Sequence, residues 1–149
     1  MPYLSEDMFE IHDELTVDQN PKSFIEIDEL MIPIIQVLNL KGYKTVACCS
    51  GHAYTEIEGT NSVCVCPYIL FAPGIVLPSY PKNAYMEIEN MFGSNFRFSI
   101  RYFEEVKNAG DYYRIYNKIL NIMKIWHGWA RSLPAYNKEE SVQSFIKLL

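Results

Sequence analysis

The stretch "IDELMIPIIQVLNLKGYKTVACCSGH", residues 27–52, decides the fold, because the hydrophobic period changes inside it. Ile27, Leu30, Met31, Ile34, Ile35 and Leu38 make one apolar stripe at helical spacing. That spacing predicts a helix over Ile27–Leu40, with Asp28 as its N-cap and Gly42 as its stop. Pro33 then falls near the first turn, where a missing N–H costs least. Past Gly42 the run "KTVACC" is short and β-branched, and it predicts a strand ending at Ser50-Gly51.

Outward from that switch, residues 1–22 are acidic and weakly patterned and close on the turn-forming "DQNPKS", which reads as an N-terminal arm. On the other side, "AYTEIEGTNSVCVCPYILFA" reads as a hairpin. Its first strand is Tyr54–Glu58, its turn Gly-Thr-Asn, and its second strand runs from Val63 to about Ala72. The proline-punctuated "PGIVLPSYPKN" is expected to be irregular. In "NFRFSIRYF", alternation sets Phe96, Phe98, Ile100 and Tyr102 on one face and Arg97, Ser99 and Arg101 on the other. The helical period returns in Tyr112, Ile115, Tyr116, Ile119, Met123 and Trp126, predicting a helix over about Asp111–Ala130 in which Trp126 is core and Trp129 partly exposed. Pro134 interrupts the chain, and Asn137 with Glu140 forms a capping-box pattern for a last helix ending at Leu149. The expected fold is α+β: a single two-layer domain over residues 1–149, a mainly antiparallel sheet with helices packed on it.

Composition narrows the function classes. The chain of 149 residues is 49% apolar and 21% charged, which is ordinary for a globular domain. Eleven Tyr, eight Phe and two Trp are a surplus that suits binding faces as well as cores. A net charge of −5 disfavours RNA unless a local basic patch outweighs it. No apolar run reaches the roughly 18 residues of a membrane span, and the acidic N-terminus carries no signal-peptide core, so a cytoplasmic protein without a membrane partner is expected. Four cysteines there are thiols or metal ligands before they are disulfides. Dinucleotide, phosphate-loop, HExxH and GxSxG patterns are missing from the sequence.

Four readings of Cys48–His52 stay open. Cys48 or Cys49 packs inward as a small hydrophobe while Ser50-Gly51 makes the turn. Alternatively Cys49 and His52 join Cys64 and Cys66, which alternation sets on one strand face, in a zinc site. A thiol–histidine pair for nucleophilic chemistry is the third reading. The fourth is a binding turn, in which the Ser50-Gly51 backbone holds a phosphate, a carboxylate or a cofactor edge and His52 adds a polar contact. Arg97 and Arg101, with Ser99 between them, form a polar stripe able to contact phosphate, although an exposed sheet face accounts for the same alternation.

Asp28 heads a helix closed by Leu38-Asn39, Tyr43 follows, and Thr45, Cys49, Ser50 and Gly51 then fall in a strand-turn pattern. In these residues the chain resembles the wybutosine-synthesising tRNA methyltransferases, with His52 where that motif has arginine. "YILF", Tyr68–Phe71, and "FRFSIRY" look like the family's later strands. The chain is also similar to short uncharacterised CSGH proteins of Gram-positive bacteria and phages, a likeness that brings no activity with it. The methyltransferase resemblance implies S-adenosylmethionine as cofactor, a nucleotide or RNA substrate and a role in tRNA modification. In it Ser50-Gly51 positions the ligand, with Asp28 and His52 as polar partners. The expected function is thus a binding or methyltransferase-like protein whose site surrounds Cys49–His52. The competing expectation is a non-enzymatic module, either zinc-stabilised or a protein-interaction domain.

Overall fold

A computed structural model describes residues 21–50, 63–90, 96–107 and 112–149. Helix α1 spans Pro21–Leu40, so it begins ahead of the expected start and takes in the end of the "DQNPKS" cluster. Proline is at home in a first helical position, since its missing N–H would have no partner there anyway. Asp28 is therefore inside the helix and not its N-cap, and its side chain lies outside the described residues. Pro33 is correspondingly interior rather than near the first turn. It sits on the exposed side, where water can serve the carbonyl that a proline leaves without a donor. Met31, Ile34, Ile35 and Leu38 are buried, as the stripe predicts.

The helix ends in a Schellman arrangement. Tyr43 N–H reaches back to Leu38 O at 2.9 Å, Gly42 N–H to Asn39 O at 3.0 Å, and Gly42 takes φ +95°. Strand β1, Thr45–Cys49, follows at once. Asn39 joins the two elements: its Nδ2 donates to Ile35 O and to Thr45 Oγ1, both at 2.9 Å, and its Oδ1 accepts from Thr45 N–H at 3.3 Å.

The remaining strands are β2 (Val63–Val65), β3 (Tyr68–Phe71), β4 (Tyr85–Asn90), β5 (Phe96–Arg101) and β6 (Glu104–Val106). Three of them join β1 in an antiparallel sheet of order β1-β3-β5-β4, while β2 pairs with β6. The second pair is a continuation of the first. Register runs without a slip from Leu70↔Ser99 through Tyr68↔Arg101 to Val65↔Glu104 and Val63↔Val106. Between them Tyr102 N–H donates to Pro67 O at 3.1 Å, but Pro67 has no N–H to return the bond. The expected strand from Val63 to Ala72 is thereby split at Cys66-Pro67. Residues 54–58, read as the first strand of that hairpin, lie outside the described residues.

Two helices complete the described chain, α2 over Tyr112–Ser132 and α3 over Lys138–Leu148. Ile115, Ile119, Ile122, Met123, Trp126 and Ala130 of α2 enter one core with Cys48, Ile69, Phe71, Phe98 and Ile100 of the sheet. Phe145 of α3 meets Phe98 edge-on at 5.3 Å. The predicted cap is present, with Asn137 Oδ1 accepting from Glu140 N–H at 3.0 Å. Lys41 closes the far end of α2, its Nζ donating to Ala130 O at 3.1 Å, Arg131 O at 2.6 Å and Leu133 O at 2.5 Å. Ala130 O also accepts from Leu133 N–H at 3.2 Å, so Lys41 adds a cation to carbonyls at and just beyond the helix end. The segment after β3 is irregular, as expected, and both indoles pin it. Trp126 Nε1 donates to Asn83 Oδ1 at 3.1 Å and Trp129 Nε1 to Ser79 Oγ at 2.9 Å. Trp126 is fully buried and Trp129 half-buried, as the helical stripe predicts. Among the described residues no helix is long and apolar enough to cross a membrane.

Candidate functional site

A strand sends alternate side chains to opposite faces. In β1 that rule sends Cys48 into the core opposite Ile69, and Cys49 to the other face opposite Tyr68. Both thiols are buried, Cys48 within the helix-packed core and Cys49 on the opposite face. Ser50, at the strand's end, is fully buried. Gly51 and His52, the rest of the turn, lie outside the described residues.

The face carrying Cys49 contributes nothing to the helix-packed core. Strand pairing lays out its side chains in rows. One row crosses all four strands: Cys49 opposite Tyr68, Tyr68 opposite Arg101, Arg101 opposite Tyr85. The adjoining row is Ala47, Leu70, Ser99 and Glu87, and beyond it Arg97 faces Glu89. Arg97 and Arg101 thus share a face, as alternation predicts, and pairing brings Arg101 to the β1 end where Cys49 sits. Tyr85 is 45% exposed, and Phe103, just beyond β5, is 59% exposed.

Arg101 lies across this surface. Its Nε is 3.2 Å from Ser99 Oγ and 3.2 Å from Glu87 Oε2, and its guanidinium carbon stands 5.3 Å from the centre of the Tyr68 ring. Ser99 beneath it is fully buried, so the centre of this face is not the open polar stripe that alternation alone implies. Arg97 Nη2 meets Glu89 Oε2 at 3.3 Å, while its Nε is buried with no hydrogen-bond partner. Half-exposed ion pairs of this kind contribute about 0–1 kcal/mol. Parting either arginine from its glutamate therefore costs little.

The thiols behave differently. Cys64 and Cys66 share the outer face, as expected, with Cys64 half-buried and Cys66 exposed. Burial pushes the Cys66 thiol above its ordinary pKa, the neighbouring Cys64 adds to the rise, and Arg101 opposes it. An activated nucleophilic thiol carries the opposite shift. Among the described residues no three His, Cys, Asp or Glu side chains gather as a metal-ligating group. The expected zinc set of Cys49, His52, Cys64 and Cys66 is not assembled there, and its histidine lies outside them. A cavity of about 70 Å³ lined by Pro78, Pro134, Asn137, Glu140 and Ser141 has room for a few waters rather than a cofactor.

Sequence reasoning missed Tyr68, Tyr85 and Phe103. The available signal was the period-two pattern of "YMEIEN", which places Tyr85, Glu87 and Glu89 on one face, ready to meet the arginines of "FRFSIR". Comparison of the chain with protein-family models, with curated proteins and with solved structures gives no match.

Proposed function

We propose that the outer face of the four-stranded sheet, at the end carrying Cys49 and Ser50, binds a small planar ligand of the nucleotide class. The observation that carries this reading is the in-register row Cys49–Tyr68–Arg101–Tyr85, with the Arg101 guanidinium over the Tyr68 ring. Tyrosine faces take a base or adenine ring by stacking. Arg101 reaches a phosphate or carboxylate once Glu87 yields it, and Ser50 follows Cys49 at the end of the row. S-adenosylmethionine has both a planar adenine and a carboxylate, so the methyltransferase-like activity implied by the resemblance is the specific form of the proposal. A net charge of −5 favours a single nucleotide over a long RNA as the ligand. The same reading places the protein in the cytosol, where four cysteines outside any disulfide persist.

The test is calorimetric titration of the whole chain with AMP and with S-adenosylmethionine. Saturable binding is expected for at least one of them, weakened about tenfold or more in Tyr68→Ala and in Arg101→Ala, with thermal stability little changed. No saturable binding of either compound overturns the proposal. Binding of S-adenosylmethionine without transfer of its labelled methyl group to tRNA leaves a ligand-binding protein and removes the methyltransferase.

A further inference from the structure

Cys64 and Cys66 stand two residues apart on one face of β2 and its extension, beside the proposed ligand row and outside it. Strand rise separates their Cα atoms by about 6.6 Å, and same-face side chains stand roughly parallel. A disulfide needs Cβ atoms about 3.8 Å apart, so this pair does not close on itself without backbone movement. One metal ion bridges it without such movement. At a sulfur–metal bond of about 2.3 Å, two thiolates on opposite sides of one ion lie about 4.6 Å apart, a gap that a slight inward tilt of both side chains spans.

We propose that Cys64 and Cys66 form a two-thiolate site for one soft monovalent metal ion of the copper(I) class. Thiolates select soft ions, whereas zinc requires four ligands and the described residues gather no third. The ion reaches the pair from solvent, since Cys66 is exposed, and continued register sets the exposed Phe103 across from it. Arg101 stands in the next row on the same face, paired with Glu87, and Glu105 stands directly across from Cys64, so the pair's surroundings carry an acid that favours a cation. Binding releases two thiol protons to solvent and forms two sulfur–metal bonds, with no electron transferred.

The experiment is a competition titration of the full chain against a chromophoric copper(I) chelator, under reducing and oxygen-free conditions. One equivalent of copper(I) per chain is expected to leave the chelator. Cys64→Ser and Cys66→Ser should each weaken uptake by at least about 100-fold while the far-ultraviolet circular dichroism stays that of the parent. Cys49→Ser and His52→Ala should leave uptake unchanged. The proposal is overturned if the parent chain withdraws no copper, or if either single serine variant binds like the parent. Equal loss in Cys49→Ser or His52→Ala overturns it as well, because the site would then be the larger four-residue set.

Discussion

Gly42 carries two constraints at once. Its φ of +95° is a conformation that L side chains rarely adopt, and a Cβ built there would stand 3.0 Å from Tyr136 Cβ. Gly42→Ala should therefore cost about 2 kcal/mol or more in urea unfolding. Gly74→Ala, at φ +84° with nothing within 4 Å, should cost less, because only the backbone strain applies. A second residue-scale prediction concerns Tyr102 and Glu104, whose side chains hydrogen-bond to each other while Lys118 pairs with Glu104 at 3.0 Å. The Tyr102 hydroxyl holds the Glu104 carboxyl below its usual range, with Lys118 assisting. This contribution is present above the unfolded carboxylate pKa and is lost as pH falls through the lower folded value. Glu104→Gln should accordingly lower stability at neutral pH and show a shrinking difference from the parent under acid. Burial, then Glu104, raises Tyr102 to about 12. Its stabilisation is complete below the ordinary phenol pKa of about 10 and fades as pH climbs toward the raised value, which ultraviolet titration of the phenol will register. Of these residues only Gly42 was legible in the sequence, as a helix stop. The facing of Cys48 and Cys49 was not, because a one-residue shift exchanges them and only pairing with Ile69 and Tyr68 fixes it.

At the scale of elements, the joint between α1, β1 and the end of α2 is tied by several side-chain hydrogen bonds. Leu38, Asn39, Tyr43 and Thr45, all within the stretch where the hydrophobic period changes, build it. Leu38, Tyr43 and Thr45 are buried, Asn39 bridges helix and strand, and Tyr43 OH donates to Pro134 O at 3.0 Å. Lys41→Met should remove three bonds to carbonyls and lower stability by about 1–3 kcal/mol, measured by urea unfolding. Pro67→Val should give residue 67 a slowly exchanging amide bonded to Tyr102 O, visible by hydrogen exchange, because the register there is already correct. Helices with strong stripes were readable in outline, but α1's early start was not, since the turn-forming "DQNPKS" and the cap-like Asp28 point to a later start even though Phe24 continues the stripe. Strand β4 escaped because an edge strand needs few buried residues. All of its side chains but Met86 are exposed, so its pattern carries little hydrophobic signal.

For the whole molecule, one core joins residues from α1, α2 and the sheet. Tryptophan fluorescence, reporting fully buried Trp126, and far-ultraviolet circular dichroism should follow a single coincident unfolding transition; separate midpoints would mean independent units. The layering was legible because helical and alternating periods each demand a buried face, and an α+β arrangement satisfies both. The candidate site was legible only strand by strand. Arg97 and Arg101 could be assigned to one face locally, but the row that joins Arg101 to Cys49, Tyr68 and Tyr85 comes from strands far apart in the sequence, whose order periodicity does not supply.

The unbroken register across Pro67 also governs how the chain tolerates changes in length. A one-residue insertion or deletion between Val65 and Tyr68 would put the strand on either side out of phase with its partner, turning Val65 outward and Cys64 into the core. A two-residue change would keep every facing and alter only the bend. Viable length variants at this point should therefore differ by even numbers of residues, or carry a matching change between Arg101 and Glu104.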